Sequence, residues 1–355
     1  MSRSIQRRTF LTGAAALAVA ATAVGAPPAT AAPRASAAAT STAVSAATST
    51  AVSAATSTAA STAVSTAFEL PDDRAYPEGI AADPRTGDLY VGSYTTGAVY
   101  RATPGRRTAE VFLPAGADGR STANGLKVDR AGRLWVTDST SGVDVYDLRT
   151  RALLARFDVP GNAPRFVNDL AVTADGTVYL TDSVREVVYR ATPAQLAAAR
   201  GGRATLTTAY DLSGVVAPHP SGAYTLNGIA AQDGYLLTVD MTAGALYRVD
   251  LTTGDIRQVA LSGGDLVNGD GLELVGGRLW AALNGTNTIT RWRLSANGTA
   301  ARLEKSVTDA ALQIPTTLVR RNGRTLVVRS QFDKGGPMGP GTPETPFTVA
   351  WVHGI

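Results

Sequence analysis

One block of sequence recurs six times between residues 78 and 328. Each copy begins with a polar residue, followed in four copies by glycine, and continues with an apolar alternation, a turn and a second β-rich run. The copies begin at Glu78, Asn124, Asn168, Asn227, Asp270 and Thr316. Their starts are separated by 46, 44, 59, 43 and 46 residues, an interval typical of one four-stranded blade of a β-propeller.

A four-stranded sheet of this size cannot bury both of its faces alone, so such sheets stack side by side around an axis. The sixth copy supplies only three strands, the last of them near residues 347–352. Residues 68–70 have the composition of a strand and can supply the missing one. We therefore predict an all-β, six-bladed propeller over residues 68–355, closed by pairing of the N- and C-terminal strands, which removes exposed sheet edges.

The N-terminus indicates an export signal. Arg7 and Arg8 precede an apolar, alanine-rich stretch from about residue 13 to 26, and residues 29–31 form a small-residue cleavage site. We interpret residues 1–31 as a bacterial secretory signal, and the adjacent arginines favour the twin-arginine route. Residues 32–67 are rich in alanine, serine and threonine and lack large apolar side chains, so we predict a disordered spacer there. The mature protein is expected to be extracellular.

Composition excludes several kinds of site. The chain has no cysteine, so disulfides, zinc-thiolate sites and cysteine nucleophiles are excluded, and it has two histidines. The formal net charge of +4 is small and the arginines are scattered, so we do not expect a nucleic-acid partner. No apolar run after the signal is long enough to span a bilayer. We expect a monomer that binds a small molecule.

The polar residues that begin the copies form a candidate metal site. In a propeller the first strand of each blade lines the axis, so these residues converge at one mouth of the channel. Two of them, Glu78 and Asp270, are carboxylates that would repel each other in a partly dry channel unless a cation neutralises them. Carboxylate and amide oxygens without His or Cys indicate calcium or a similar hard divalent cation. For any single copy, the alternative is that Asn-Gly or Asp-Gly simply forms a turn.

These residues resemble the senescence marker protein and gluconolactonase (regucalcin-like) family, within the wider group of calcium-dependent six-bladed propellers that includes paraoxonases and diisopropyl fluorophosphatases. The resemblance implies that the metal is held by Glu78 in Pro-Glu-Gly, Asn227 in Asn-Gly and Asp270 in Asp-Gly, and the wider group adds Asn168. Thr316 stands where the fluorophosphatase-type site would have histidine, which weighs against organophosphate hydrolysis.

Three further residues are candidates for binding substrate. The lactonases have an Arg-Phe-Asn-Asp stretch that supplies a substrate-binding arginine, which suggests Arg165, although Val167 is inserted here. Asn124 is equivalent to the ligands by repeat position and is a candidate for binding substrate or water. His219 lies in the loop before the fourth blade and is a candidate proton shuttle, with a solvated loop histidine as the alternative.

The predicted function is hydrolysis of lactones or small esters. The cation would polarise the carbonyl, and Asp270 is the candidate base, with water activated by the ion itself as the alternative. The second hypothesis is a non-catalytic propeller that retains the metal for stability and binds ligands or acts as a scaffold. The fold alone does not distinguish the two.

Overall fold

The computed structural model describes residues 63–355, and the strands of this part of the chain form six small sheets. The predicted signal and most of the predicted spacer lie outside the described residues. The first strand, β1 (Val64–Glu69), includes the last four residues that we counted as spacer. Val64 and Phe68 are 5% and 4% exposed, so this strand packs one face against the domain. No helix within residues 63–355 is long and apolar enough to cross a membrane.

The sheets follow the six sequence repeats in order. Blade 1 contains β2 (Pro77–Ala82), β3 (Leu89–Ser93), β4 (Val99–Ala102) and β5 (Glu110–Leu113). Blade 2 contains β6 (Leu126–Val128), β7 (Arg133–Asp138), β8 (Gly142–Asp147) and β9 (Leu153–Asp158). Blade 3 contains β10 (Val167–Val172), β11 (Val178–Asp182) and β12 (Val187–Ala191), followed by helix α1 (Pro193–Ala199), β13 (Arg203–Thr205) and β14 (Thr207–Asp211).

The second half repeats this plan. Blade 4 contains β15 (Leu226–Gln232), β16 (Tyr235–Asp240), β17 (Ala245–Asp250) and β18 (Ile256–Gln258). Blade 5 contains β19 (Ala260–Ser262), β20 (Gly269–Val275), β21 (Arg278–Leu283), β22 (Thr288–Leu294) and β23 (Ala300–Thr308). Blade 6 contains β24 (Leu318–Arg321), β25 (Arg324–Val328) and β26 (Thr348–Val352). Short 3₁₀ turns occupy Ala117–Gly119, Asn284–Thr286 and Ala310–Leu312.

The two ends of the domain pair to close the ring. Strand β1 runs antiparallel to β26, with Val64 opposite Val352 and Phe68 opposite Val349. This pairing confirms the predicted closure of a six-bladed, all-β propeller. Two sheets gain a fifth strand that the repeat did not predict. Strand β13 leaves blade 3 to pair in parallel with β9 of blade 2, and β19 pairs in parallel with β23 of blade 5.

The core consists of six apolar clusters, one between each pair of neighbouring blades. Successive residues of an axial strand point to opposite faces of their sheet, so each blade serves two interfaces. In β10, for example, Leu170 packs in the cluster shared with blade 2 and Ala171 in the cluster shared with blade 4. This stacking fixes the axial strands relative to one another, and it thereby positions the residues at their mouth ends.

Candidate metal centre

Bulges present four of the predicted ligands at the mouth of the channel. In blade 1, Pro77 is opposite Ser93 but the next pair is Ile80 with Val91, so the ladder skips Glu78. The same irregularity occurs at the start of β10, β15 and β20, where it leaves Asn168, Asn227 and Asp270 without a partner residue in the ladder. A bulge redirects a side chain that the regular ladder would hold. These Asn-Gly and Asp-Gly pairs therefore lie at strand bulges, and the turn explanation does not apply to them.

The glycines after the ligands allow neighbouring axial strands to approach closely. A Cβ on Gly79 would overlap the Asn124 carbonyl oxygen, and a Cβ on Gly228 would overlap the Asp270 carbonyl oxygen. Only glycine leaves room for backbone at this distance. The recurrent glycine thus has a packing role that brings the ligands of adjacent blades together.

The ring contains buried oxygen atoms without partners. Glu78, Asn124, Asn168, Asn227 and Asp270 are each between 1% and 5% exposed. The following atoms of these side chains have no hydrogen-bond partner in the described part of the chain: Glu78 Oε2, Asn124 Oδ1, Asn168 Oδ1, Asn227 Oδ1 and Asp270 Oδ1. Buried polar atoms are nearly always satisfied, so five unsatisfied oxygens at one repeat position require a common explanation. A hard cation, which binds oxygen ligands, would supply a partner at this position.

Three of these side chains are each oriented by a neighbouring supporting residue. Asn168 Nδ2 donates to Ser183 Oγ at 3.1 Å, and Asn227 Nδ2 donates to Met241 Sδ at 3.2 Å. Asn284 Nδ2 donates to Asp270 Oδ2 at 2.7 Å. In each case one terminal atom of the ring side chain is hydrogen-bonded, and its remaining oxygen, Oδ1, has no partner among the described residues. Fixing the outer atom in this way is how proteins orient metal ligands.

Sequence reasoning missed these supporting residues, although they carry a signal. Each one directly follows the second strand of its blade, at a repeat position occupied by Ser139, Ser183, Met241 and Asn284 in blades 2 to 5. A comparison of the second strands, as well as the first strands, would have identified Asn284 as the partner of Asp270.

The carboxylates of the ring are electrostatically strained without a cation. Burial, together with the negative charges of Asp270 and Asp169, raises the pKa of Glu78 well above its ordinary value. Burial raises the pKa of Asp270 to about 8, against the opposing effect of the Asn284 hydrogen bond. Within residues 63–355 no three His, Cys, Asp or Glu side chains form a metal-binding group, so a cation here needs the asparagine oxygens as well.

A second charged cluster lies further along the channel and was not predicted. Burial raises the pKa of Asp169, while the charge of Lys127 opposes that effect. Lys127 Nζ is 3.7 Å from Glu273 Oε2, and each of these side chains is about one-fifth exposed. Both lie three residues beyond a ring position, on β6 and β20. Lys127 therefore offsets Asp169 and Glu273, and the described residues offer no equivalent cation for Glu78 and Asp270.

The sixth position closes the ring. Thr316 Oγ1 donates to the Glu78 carbonyl oxygen at 2.7 Å, and its hydroxyl is also 2.7 Å from Ser330 Oγ. Thr316 is thus a link between the last blade and the first. Asn124 differs, because neither its Oδ1 nor its Nδ2 has a partner among the described residues.

Two of the predicted substrate contacts are hydrogen-bonded to groups outside the ring. Arg165 Nε donates to the Ala163 carbonyl oxygen at 3.3 Å, within its own loop. His219 forms an ion pair with Glu186 through Nε2, and its Nδ1 is 3.1 Å from the Pro220 carbonyl oxygen. Hydrogen bonds to Pro220 and Glu186 raise the pKa of His219. Because both imidazole nitrogens have acceptor partners, this arrangement suits the protonated form.

Comparison with known proteins identifies the fold. No family model matches the sequence, and no curated protein matches it. Solved structures that match include a gluconolactonase from Xanthomonas campestris, with 18% identity and a TM-score of 0.56, over 81% of this chain and 88% of that one. Virginiamycin B lyase from Staphylococcus aureus matches at 13% identity and a TM-score of 0.52, over 81% of this chain and 98% of that one. The Malassezia sympodialis allergen Mala s 1 matches at 15% identity and a TM-score of 0.55, over 80% and 94% of the two chains.

These similarities show that the chain has the propeller fold of those proteins. The resemblance to the gluconolactonase group, inferred from the sequence, is confirmed at the level of the fold.

Proposed function

We propose that this protein binds one hard divalent cation, calcium, in the axial ring and hydrolyses lactones or small esters. The observation that carries the proposal is the set of buried oxygens without partners on Glu78, Asn168, Asn227 and Asp270. The gluconolactonase among the structural neighbours supports the choice of a lactone substrate. The predicted export signal would direct the proposed activity outside the bacterial cell.

The charges and donors of the ring fit this cation. Glu78 and Asp270 would balance its charge, while Asn168 and Asn227 would each supply an amide oxygen, which is the donor set that calcium prefers. When bound, a cation of this kind supplies Lewis-acid polarisation of a substrate carbonyl. Its charge would also oppose the burial and the repulsion from Asp270 and Asp169 that raise the pKa of Glu78.

The side chains around the ring supply the remaining steps. Asn284 holds Asp270 Oδ2, and Oδ1 is the oxygen left for the cation. The proton of the attacking water would therefore pass to Oδ2, whose second lone pair is not used by the Asn284 hydrogen bond. Asn124 has a free Nδ2 donor, which stabilises the negative charge that develops on the substrate oxygen. The proton on Asp270 then passes to the departing alkoxide, so that water is added across the ester bond.

The histidines favour hydrolysis over the chemistry of the lyase neighbours. One solved virginiamycin B lyase is described as a catalytically inactive histidine-to-alanine variant. Here His219 is bonded to Glu186 and His353 Nε2 is 2.9 Å from Ser65 Oγ, so neither histidine belongs to the ring. The acid-base candidates at the ring are carboxylates.

One observation favours a second candidate function. Of the predicted substrate contacts, Arg165 is hydrogen-bonded within its own loop and His219 is paired with Glu186 of blade 3. A non-catalytic propeller that keeps calcium for stability and binds a ligand at the same mouth would need neither residue. This candidate predicts stabilisation by calcium without turnover.

Hydrolysis by purified protein distinguishes the two functions. Glucono-δ-lactone, δ-decanolactone and phenyl acetate are assayed in calcium and in chelator, with metal content measured on the same samples. We expect chelation to abolish hydrolysis and calcium to restore it. Asp270→Ala should lose both metal and activity, whereas Asp233→Asn, at an exposed turn, should retain both. Hydrolysis that persists in Asp270→Ala would refute the assignment of the site.

A further inference from the structure

Two aromatic pairs face each other across the mouth of the channel. Tyr94 follows β3 of blade 1, and its ring centroid lies 5.2 Å from that of Phe332, which follows β25 of blade 6. Phe166 precedes β10 of blade 3 and lies 4.8 Å from Tyr224, which precedes β15 of blade 4. In a ring of six blades, the boundary between blades 6 and 1 is opposite the boundary between blades 3 and 4. We call these two pairs the aromatic walls.

The aromatic walls stand immediately above the ring. Phe166 is two residues before Asn168, and Tyr224 is three residues before Asn227. Tyr94 directly follows Ser93, which is opposite Pro77, the residue before Glu78, so it lies at the same end of blade 1 as the ring. A molecule whose carbonyl reaches the ring must therefore pass between the walls.

Exposed apolar side chains extend both walls toward solvent. Tyr224 is 48% exposed, Val184 in the adjoining loop of blade 3 is 41% exposed, and Met338 in the long loop of blade 6 is 50% exposed. The Met338 backbone N–H donates to the Phe332 carbonyl oxygen at 2.9 Å, so the two residues lie next to each other in this wall. Apolar surface grouped around a channel mouth marks a binding site for an apolar group.

The polar side chains near the mouth are already bonded to each other. Thr122 and Ser139 of blade 2 have their hydroxyl oxygens 3.1 Å apart, and the Ser139 N–H donates to Thr122. Gln331 of blade 6 donates to the Glu344 carbonyl oxygen and accepts from the Glu344 N–H. These side chains are therefore not free to bind the hydroxyls of a sugar lactone.

The wall of blades 3 and 4 is held in place before any ligand binds. Thr242 Oγ1 donates to the Tyr224 carbonyl oxygen at 2.6 Å. The ion pair of His219 with Glu186 attaches the same loop to blade 3. A preformed wall loses little conformational entropy when a ligand binds against it.

We propose that the aromatic walls bind the apolar part of the substrate, an alkyl chain or an aryl ring, so that the protein prefers alkyl- or aryl-substituted lactones and esters to polyhydroxylated sugar lactones. The inference rests on the proposed function, since it names the substrate class of that same site. Aromatic side chains supply large contact areas to apolar groups and none of the hydrogen bonds that sugar hydroxyls require.

Two lactones with the same six-membered ring test this preference. We expect kcat/KM in calcium to be at least about tenfold higher for δ-decanolactone than for glucono-δ-lactone. Tyr224→Ala should reduce that ratio by about tenfold, mainly through KM, because it removes uniform binding of the alkyl chain. Tyr224→Phe should keep the ratio. The matched control is Val275→Ala, which is 47% exposed at the far end of β20 and should leave the ratio unchanged.

The outcomes separate this inference from the proposed function. If glucono-δ-lactone is hydrolysed at least as well, or if Tyr224→Ala leaves the ratio unchanged, the aromatic walls do not select the substrate although hydrolysis stands. If neither lactone is hydrolysed, calorimetric titration with δ-decanolactone decides. If the wild type binds δ-decanolactone and Tyr224→Ala does not, the aromatic walls bind the apolar group and the proposed hydrolysis is rejected. If the wild type does not bind δ-decanolactone, both proposals are rejected.

Discussion

Removing calcium should make the stability of this protein fall as the pH rises. In the cation-free ring, Asp270 has a pKa of about 8, while in the unfolded chain its pKa returns to the ordinary value near 4. A carboxyl with a raised folded-state pKa contributes its stability fully below the unfolded value, and that stability is lost as the pH rises through the folded value. The raised pKa of Glu78 acts in the same direction.

The size of the effect follows from these values. For Asp270 alone, the difference between folded and unfolded pKa corresponds to a loss on the order of 5 kcal/mol between about pH 4 and pH 8. For a domain of this size, such a loss lowers the melting temperature by roughly 10 °C. A bound cation favours the ionised carboxylates, so calcium should stabilise the protein more at pH 8 than at pH 5.

Thermal unfolding at pH 5 and pH 8, in chelator and in millimolar calcium, measures this directly. Asp270→Asn should lose most of the difference between the two pH values in chelator, whereas Asp233→Asn should behave as the wild type because Asp233 is exposed. The reasoning is refuted if the chelated protein is no less stable at pH 8 than at pH 5 and calcium does not raise its melting temperature at pH 8.

Two further predictions concern the packing that supports the ring. Gly228→Ala places a methyl group against the Asp270 carbonyl oxygen and within 2.8 Å of the Leu272 nitrogen. It should lower the free energy of unfolding in urea by about 1–3 kcal/mol and weaken calcium binding in calorimetry. The control Gly214→Ala meets no atom within 4 Å and should do neither. Arg120→Ala should lower the free energy of unfolding by about 3–5 kcal/mol, because this buried guanidinium donates to the Gly97 carbonyl oxygen at 2.7 Å and lies near the Asp144 carboxylate. The control Arg257→Ala, at an exposed residue, should change the free energy of unfolding by less than about 1 kcal/mol. Equal effects of the two arginine substitutions would contradict the second prediction.

Much of the fold was predictable because the repeat expresses a physical requirement. Each blade needs an axial strand with two buried faces, and the glycine after the ring residue allows its neighbour to approach. These requirements recur every 43 to 59 residues, so the blade number and the ring position are visible in a single sequence. The pairing of β1 with β26 was also predictable, since the last repeat lacks one strand.

Other features follow from contacts between distant segments and leave no periodic signal. The 59-residue interval of blade 3 is the longest of the five, but it does not show that β13 crosses to β9 of blade 2. The aromatic walls join residues from four blades whose spacing in the sequence is irregular. Asp169 lies within the third copy of the repeat, but its interaction with Lys127 of the second copy depends on how the two axial strands pack.

The pairing of β1 with β26 also makes assembly of the ring depend on the order in which the chain is synthesised. Glu78 belongs to the first blade to leave the ribosome and Asp270 to the fifth, while the outer strand that seals the last blade is made before any of them. Strand β1 must therefore wait for β26, the last strand to be made, before it acquires its partner. Binding of a cation to the ring would therefore require the chain from blade 1 through blade 5, because a fragment that lacks blade 1 or blade 5 also lacks one of the two carboxylates.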